Sequence, residues 1–403
     1  MRRSFIKLVF LCGMCLGPLH AQIELSGSAD FEVAAGGEDS RFVTNEINNE
    51  FRRPHLSIRE LNLFLFSEIG GDFFFNARLQ WDIWGSGRLN SLRITLASLS
   101  WEPEEGQVAL SVGRFVNPFG LYPRRQLSSE SSFINAPLAY GYFINVSDTR
   151  GFWPAAGKAG QYGSEDVGLT MNYFGGYATG ALFNWVIIPE GLDLALAVTN
   201  AAPASQQDYT NLQNLGATLR LGFQPAIFWQ QGISVSHGSF MRREAVNNNF
   251  DRLEQYRQTL LGTDIIIAYA YFELSGELLY ALWDVPASDK NGFQIGPDGN
   301  LQAYRLSNWS AYVDTRFELP FLPGSYVAGR YERMVFDRFT PPPGSSLTAT
   351  NPWDESLIRY SFALGYRLAR PVLLKFAFSE QIYDDRNLKR DDWTMRLLLN
   401  VSL

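Results

Sequence analysis

From residue 22 onward the chain has no cysteine, since Cys12 and Cys15 both lie within the first 21 residues. A chain without thiols has no disulfide staples, no cysteine metal site and no thiolate nucleophile, and it suits an oxidising compartment. Lysine is almost as scarce, at five in 403 residues, so arginine carries the positive charge. Beyond residue 21 the only histidines are His55 and His237. After Leu19 no apolar run approaches the roughly 20 residues that a membrane-crossing helix requires. Any passage through a membrane must therefore be made by strands.

The first 21 residues read as a cleavable secretory leader. Arg2, Arg3 and Lys7 precede an apolar run over 8–19, and Leu19-His20-Ala21 precedes Gln22, so the cut is expected after Ala21. Removing the leader takes three of the 34 Lys+Arg and leaves 31 against 41 Asp+Glu, a balance of −10. An acidic surface of this kind argues against nucleic acid as a partner.

What the chain does have is alternation. In WTMRLLLNVSL at 393–403, Trp393, Met395, Leu397, Leu399, Val401 and Leu403 share one face of a strand; Thr394, Arg396, Asn400 and Ser402 share the other, with Leu398 out of place. The segment 73–83 repeats the pattern, with Phe73, Phe75, Ala77, Leu79, Trp81 and Ile83 against Asn76, Arg78, Gln80 and Asp82. One face wants lipid and the other water. A terminal strand that ends on an apolar residue needs a partner, and pairing it with the first strand closes a barrel. Only a closed sheet leaves no unpaired edge amides in lipid.

The same rhythm predicts wall strands at 23–33 and 56–67, then around 92–97 and from 108. It continues at 177–188, 192–199, 212–223, 227–240, 258–270, 273–283, 304–318, 325–336, 355–368 and 372–383. Short turns and long loops alternate along the chain. An irregular stretch at 117–176 is rich in Pro, Gly and aromatics, and within it 166–173 has strand character. Assigned to the excursion, that stretch leaves 16 strands and an unbroken alternation; as a wall strand it breaks it, and 18 with one missed strand is the other count. Trp81, Trp84, Trp185, Trp229, Trp283 and Trp393 fall near strand ends, where interfacial girdles place aromatic rings.

A 16-stranded barrel leaves an aqueous channel, so its inner wall matters. The polar strand faces contribute Arg78, Arg93, Arg220, Arg316, Arg330, Arg359, Arg367, Lys375 and Arg396, answered by Asp82, Asp193, Glu273, Glu277, Asp314, Glu318 and Glu332. The long stretch is expected to fold into the lumen. It carries Arg124, Arg125, Glu130 and Arg150, which are expected together at a constriction on the solute path, where the two adjacent arginines favour anionic or hydroxyl-rich solutes. An enzyme is the rival class, but Ser236 and His237 point to opposite sides of a regular strand and His55 stands at a loop junction. No zinc, phosphate-loop or calcium-loop spacing is present, so no cofactor is implied. A secreted β-sandwich would need a second apolar layer, which the pattern does not supply.

GRFVNPFG at 113–120, LDLALAVTNAA at 192–202, LGATLRLGF at 215–223, VAGRYER at 327–333 and ALGYRLARPVLLKFAFSE at 363–380 follow one another in a familiar order. The chain resembles the phosphate-selective O/P porins and their broad relatives in Gram-negative outer membranes. That resemblance implies a 16-stranded, often homotrimeric barrel with an inward-folded loop, seated in lipid and lipopolysaccharide by the barrel-assembly machinery and passing small hydrophilic solutes passively. Phosphate-selective members have a lysine- and arginine-rich conduit, whereas this chain is poor in lysine. The solute therefore stays open between anions such as phosphate and sugars. A surface-anchoring or binding barrel with a plugged lumen is the alternative function.

Overall fold

The computed structural model describes residues 22–37, 54–82, 91–103, 106–154, 169–205, 215–241, 255–289, 291–296, 299–339, 352–384 and 392–403. The first 21 residues, expected as a leader, Trp84, the stretch 155–168 and the side chain of Asp82 lie outside it. Alternating segments form β1 (Gln22–Gly36), β2 (His55–Gly70), β3 (Phe73–Asp82), β4 (Ser91–Trp101), β5 (Val108–Val116) and β6 (Tyr177–Ile188). They continue as β7 (Leu192–Thr199), β8 (Gly216–Ala226), β9 (Trp229–Ser239), β10 (Arg257–Tyr269) and β11 (Phe272–Pro286). A two-residue pair, β12 (Ser288–Asp289) and β13 (Gly292–Phe293), stands apart from the wall. The wall is completed by β14 (Ala303–Glu318), β15 (Ser325–Phe336), β16 (Leu357–Ala369), β17 (Val372–Tyr383) and β18 (Trp393–Ser402).

Sixteen of these strands close into one antiparallel barrel, each bonded to its sequence neighbour, with β1 sealed against β18. At the seam Ala29 stands opposite Val401, and Leu403 N–H donates to the Gly27 carbonyl at 2.8 Å. The apolar chain end is thus tied into the wall and no edge is left open. β5 pairs directly with β6, from Val108 opposite Trp185 to Val116 opposite Tyr177. The end of the ambiguous stretch, Leu169–Tyr173, is accordingly part of the excursion, and among the described residues the wall count is 16 rather than 18.

The two faces of the wall differ as a bilayer requires. On β8 Leu219, Leu221 and Phe223 are 42%, 40% and 50% exposed, whereas Thr218 and Arg220, on the other face, are 1% and 6% exposed. The outward set recurs as Leu278, Tyr280 and Leu282 on β11, Phe362 and Leu364 on β16, and Met395 and Leu397 on β18. Hydrocarbon exposed in a continuous belt costs about 25 cal/mol per Å² in water and nothing comparable in lipid.

Inside, the excursion between β5 and β6 returns through the barrel. At the long-connection end its residues Leu138, Tyr142, Ile144, Val146 and Phe152 build an apolar cluster with Phe240, Trp283, Tyr304, Phe336 and Trp353 of the wall and its loops. Trp283 therefore faces inward, edge-on to Phe240 at 5.1 Å, and is not a girdle residue. Leu398, the misfit of the terminal strand, is fully buried in a second cluster with Phe133 and Ile134 of the excursion. Its apolar side chain breaks the polar face where the inserted segment needs an apolar contact.

Leu221→Arg, at mid-height on the outer belt, is expected to destabilise the barrel by about 2–4 kcal/mol. Asn184→Arg, on the inner face, should cost less than about 1 kcal/mol because water solvates it there. Urea unfolding in lipid vesicles reads both, and equal losses would contradict the assignment of the faces.

Candidate functional site, a lumen divided by an inserted segment

The segment enters the lumen through Asn117-Pro118-Phe119-Gly120. Asn117 N–H donates to the Gly176 carbonyl at 3.0 Å and closes the neck of the excursion. Gly120 has φ +65°, and a Cβ there would lie 2.6 Å from both a Glu277 carboxylate oxygen and the Tyr140 hydroxyl. Only glycine meets both demands. The turn aims three successive amides at the wall: Gly120 N–H donates to Ser234 Oγ at 3.2 Å, and Leu121 and Tyr122 N–H donate to Glu277 Oε1 at 2.8 and 2.5 Å. Tyr312 O–H also donates to Oε1, at 2.8 Å, and Tyr140 O–H donates to Oε2. Glu277, 4% exposed, is thus an anchor held by neutral donors rather than a wall charge that meets solute. Burial and the Glu277 charge push the Tyr140 phenol well above its ordinary pKa, so it stays a donor.

Farther along the barrel, β15, β16 and β17 grip the next part of the segment with their cations. Arg330 forms a forked pair with Asp314 at 2.5 and 2.6 Å and donates to the Asn135 carbonyl at 2.9 Å. Arg359 pairs with Glu332 at 2.5 and 3.0 Å and donates to the Ala136 carbonyl at 2.5 Å. Glu332 in turn accepts Leu138 N–H at 2.7 Å. Lys375, 1% exposed, donates to the carbonyls of Ser128 and Ser131, while Ser128 O–H donates to Asp30 at 2.5 Å. Charge-assisted bonds in a dry interior are the strongest available for holding a loop.

Other predicted wall cations are engaged within the wall and its turns. Arg396 and Arg59 share Glu32 at 3.3 and 3.1 Å, and Arg220 pairs with Asp264. Arg316 pairs with Glu318 at 3.0 Å and stacks on Tyr326, while Arg367 donates to the Arg370 carbonyl at 2.8 Å. Arg78 donates to Glu60 at 2.6 Å, Asn62 at 2.8 Å and Tyr177 at 2.5 Å. Arg93 stands part-buried on β4 opposite Gln80.

The four residues expected together at a constriction are not together. Arg124 and Arg125 follow the turn inside the lumen, where Arg125 pairs with Glu273 at 2.7 Å. Glu130 is exposed nearby; burial raises its carboxyl pKa, and Arg125 and Arg78 oppose the rise. Arg150 lies elsewhere, in a turn closed by Ser147 and Gly151 whose next residue, Phe152, donates to the Pro286 carbonyl at 3.0 Å. That turn belongs to the long-connection end, since the chain has crossed back through the lumen by then. Arg124 is exposed and lines a cavity of about 520 Å³ with Pro118, Leu182, Asn184, Asp193 and Gln224.

His237 sits on the outer face, bonded to Thr259 at 2.8 Å and Arg257 at 3.1 Å, while Ser236 is buried inside. The strand period separates the two, as expected. The anchoring by Glu277 leaves one signal in the sequence, an isolated acid in the apolar run LSGELLYALW. Phe64, Phe66 and Phe74 fall on the polar faces of β2 and β3, where alternation alone does not lead one to expect them.

No protein-family model matches the chain, and no curated protein matches it in sequence, so the motif resemblance to phosphate-selective porins gains no support there. In fold the chain is similar to the outer membrane channel DcaP of Acinetobacter baumannii, with TM-score 0.59, 13% identity and coverage of 95% of this chain and 97% of that one. It is also similar to the anion-selective porin from Comamonas acidovorans, with TM-score 0.56, 11% identity and coverage of 95% and 99%. OmpT, an outer membrane protein of Vibrio cholerae, matches with TM-score 0.56, 8% identity and coverage of 96% and 100%. At such identities the likeness is one of fold.

Glu277→Ala strands two amides and two phenols without their acceptor, and each unmet buried donor costs about 1–3 kcal/mol. The inserted segment should then come away from the wall. Trypsin should cut after Arg124 and Arg125 in the folded variant and not in the wild type, and equal protection of both would remove Glu277 from its anchoring role.

Proposed function

We propose that the chain is a porin of the Gram-negative outer membrane, a passive diffusion channel for small hydrophilic solutes and ions. The observation that carries this reading is the cavity of about 520 Å³ left between Arg124 of the inserted segment and Asn184, Asp193 and Gln224 of the wall, inside a closed barrel belted with hydrocarbon. A leader removed after Ala21 delivers it across the inner membrane. Outer-membrane lipid and lipopolysaccharide surround it, the barrel-assembly machinery inserts it, and a homotrimer is its assembly. No covalent step and no cofactor belong to this function.

The sign of the preferred ion follows from which charges remain exposed. Glu24, Glu68, Glu130 and Asp193 face the lumen exposed, against Arg124, Arg367 and the terminal ammonium that removal of the leader leaves on Gln22. Most other inward arginines have carboxylate partners, which cancel their fields at the axis. The balance favours cations over anions, contrary to the preference expected from Arg124 and Arg125 taken alone. A second reading, a binding or anchoring barrel with a plugged lumen, draws support from the apolar cluster that fills the long-connection end along β9–β17.

Reconstitution into a planar bilayer under a salt gradient separates these readings. Stepwise conductance with a reversal potential on the cation-selective side is expected, and Arg124→Ala/Arg125→Ala should move it further that way. Absence of current at any protein concentration would favour the plugged barrel, and an anion-selective wild type would overturn the charge argument.

A further inference from the structure

The inner face of β1–β3 near the short-turn end carries a feature that simple diffusion does not require. Strand alternation turns Asn62, Phe64, Phe66 and Glu68 of β2, and Phe74, Asn76 and Arg78 of β3, toward the lumen. The bond between Arg78 and Asn62 at 2.8 Å fixes which face this is. Three part-exposed phenyl rings therefore lie on a surface that barrels keep polar.

Two of the rings, Phe66 and Phe74, lie 6.0 Å apart with their planes 20° from parallel. Phe66 has Glu24 as its directly opposite cross-strand neighbour, and Phe74 has Glu68. Opposite residues of an antiparallel pair hold their Cβ atoms about 5 Å apart, so each carboxylate is within reach of the ring beside it. Both carboxylates are exposed, and neither has an arginine or lysine partner among the described residues.

The third ring shows what this wall accepts. The Arg78 guanidinium sits 5.5 Å from the centroid of Phe64, a cation resting on an aromatic face. Phe64 already has its cation, and Phe66 and Phe74 have only carboxylates beside them. An aromatic face next to a carboxylate recognises a positive charge carried on an apolar body. The ring supplies its negative face, the carboxylate supplies the counter-charge, and the apolar body covers wetted ring area. An organic anion would meet Glu24, and a small metal ion would have to shed tightly held water to touch a phenyl.

We infer that Phe66, Phe74 and Glu24 form a subsite for small organic cations, ammonium groups borne on an apolar body, at the short-turn mouth of the lumen. Removal of the leader creates a terminal ammonium on Gln22, whose cross-strand partner is Glu68. Glu24 is therefore the carboxylate on which the subsite relies. The inference rests on the channel reading in one respect, that the subsite is a station on the solute path.

The test titrates the folded chain, residues 22–403, in nonionic micelles with tetraethylammonium chloride, glucose and benzoate in turn. Binding is read by saturation-transfer NMR, and the conductance of the same preparations is recorded in planar bilayers. Tetraethylammonium should bind more tightly than either of the others. Phe66→Leu/Phe74→Leu keeps apolar volume but loses the aromatic faces, and should weaken tetraethylammonium about fivefold. Glu24→Gln should weaken it as well, with heat-dependent gel mobility showing each variant folded. Equal or tighter binding of glucose or benzoate, or a leucine pair that binds like the wild type, overturns the subsite. A barrel that binds the cation as expected yet carries no current overturns the channel and leaves the subsite standing. One that conducts without preferring the cation overturns the subsite alone.

Discussion

Every backbone amide of a wall that faces lipid has to find its partner within the wall, and the rest of the structure depends on this constraint. A single open edge would leave a row of donors and acceptors in hydrocarbon at several kcal/mol each. The seam between β1 and β18 removes that edge, so the terminal strand is a structural requirement rather than a tail. Once the wall is closed, alternation sends every second side chain into a space that lipid cannot reach. The charges of the chain collect there because they have nowhere else to go.

A barrel of this width encloses more space than its own side chains fill, and the inserted segment shares it out. Its first turn is held by a carboxylate that accepts amides and phenols, Glu277. Its next part is held by guanidiniums that donate to carbonyls, Arg330 and Arg359, and by Glu332, which accepts the Leu138 amide. Strands β11–β16 therefore meet both ends of the peptide group along the segment, which fixes its position. With those cations committed, the exposed charge of the passage falls to a small set in which carboxylates predominate. The same positional logic leaves phenyl rings and a carboxylate side by side on β1–β3.

Much of the wall was legible because its period is 2 and each face has one solvent. β6, β7, β15 and β17 begin and end where the alternation does, at 177–188, 192–199, 325–336 and 372–383. The lumen was less legible for a physical reason. Whether an inward arginine meets solute or a loop carbonyl depends on where a 60-residue excursion turns back, and no local period encodes that. Arg150 was grouped with Arg124 by proximity in sequence, although the chain reverses through the barrel between them. Trp283 was read as a girdle residue from its place at a strand end, although its parity points it inward. Leu398 was the informative exception: a single apolar residue on a polar face marks where inserted chain rests against the wall.

The absence of cysteine from residue 22 onward permits the most direct test of the two-faced wall. Single cysteines at positions 395 to 400, labelled with a small fluorophore and reconstituted into vesicles containing brominated lipid, report lipid contact residue by residue. Quenching should alternate, strong at 395, 397 and 399 and weak at 396, 398 and 400, with the apolar position 398 among the protected. Uniform quenching along the strand, or strong quenching at 398, would contradict a sealed wall with lipid outside and the inserted segment within.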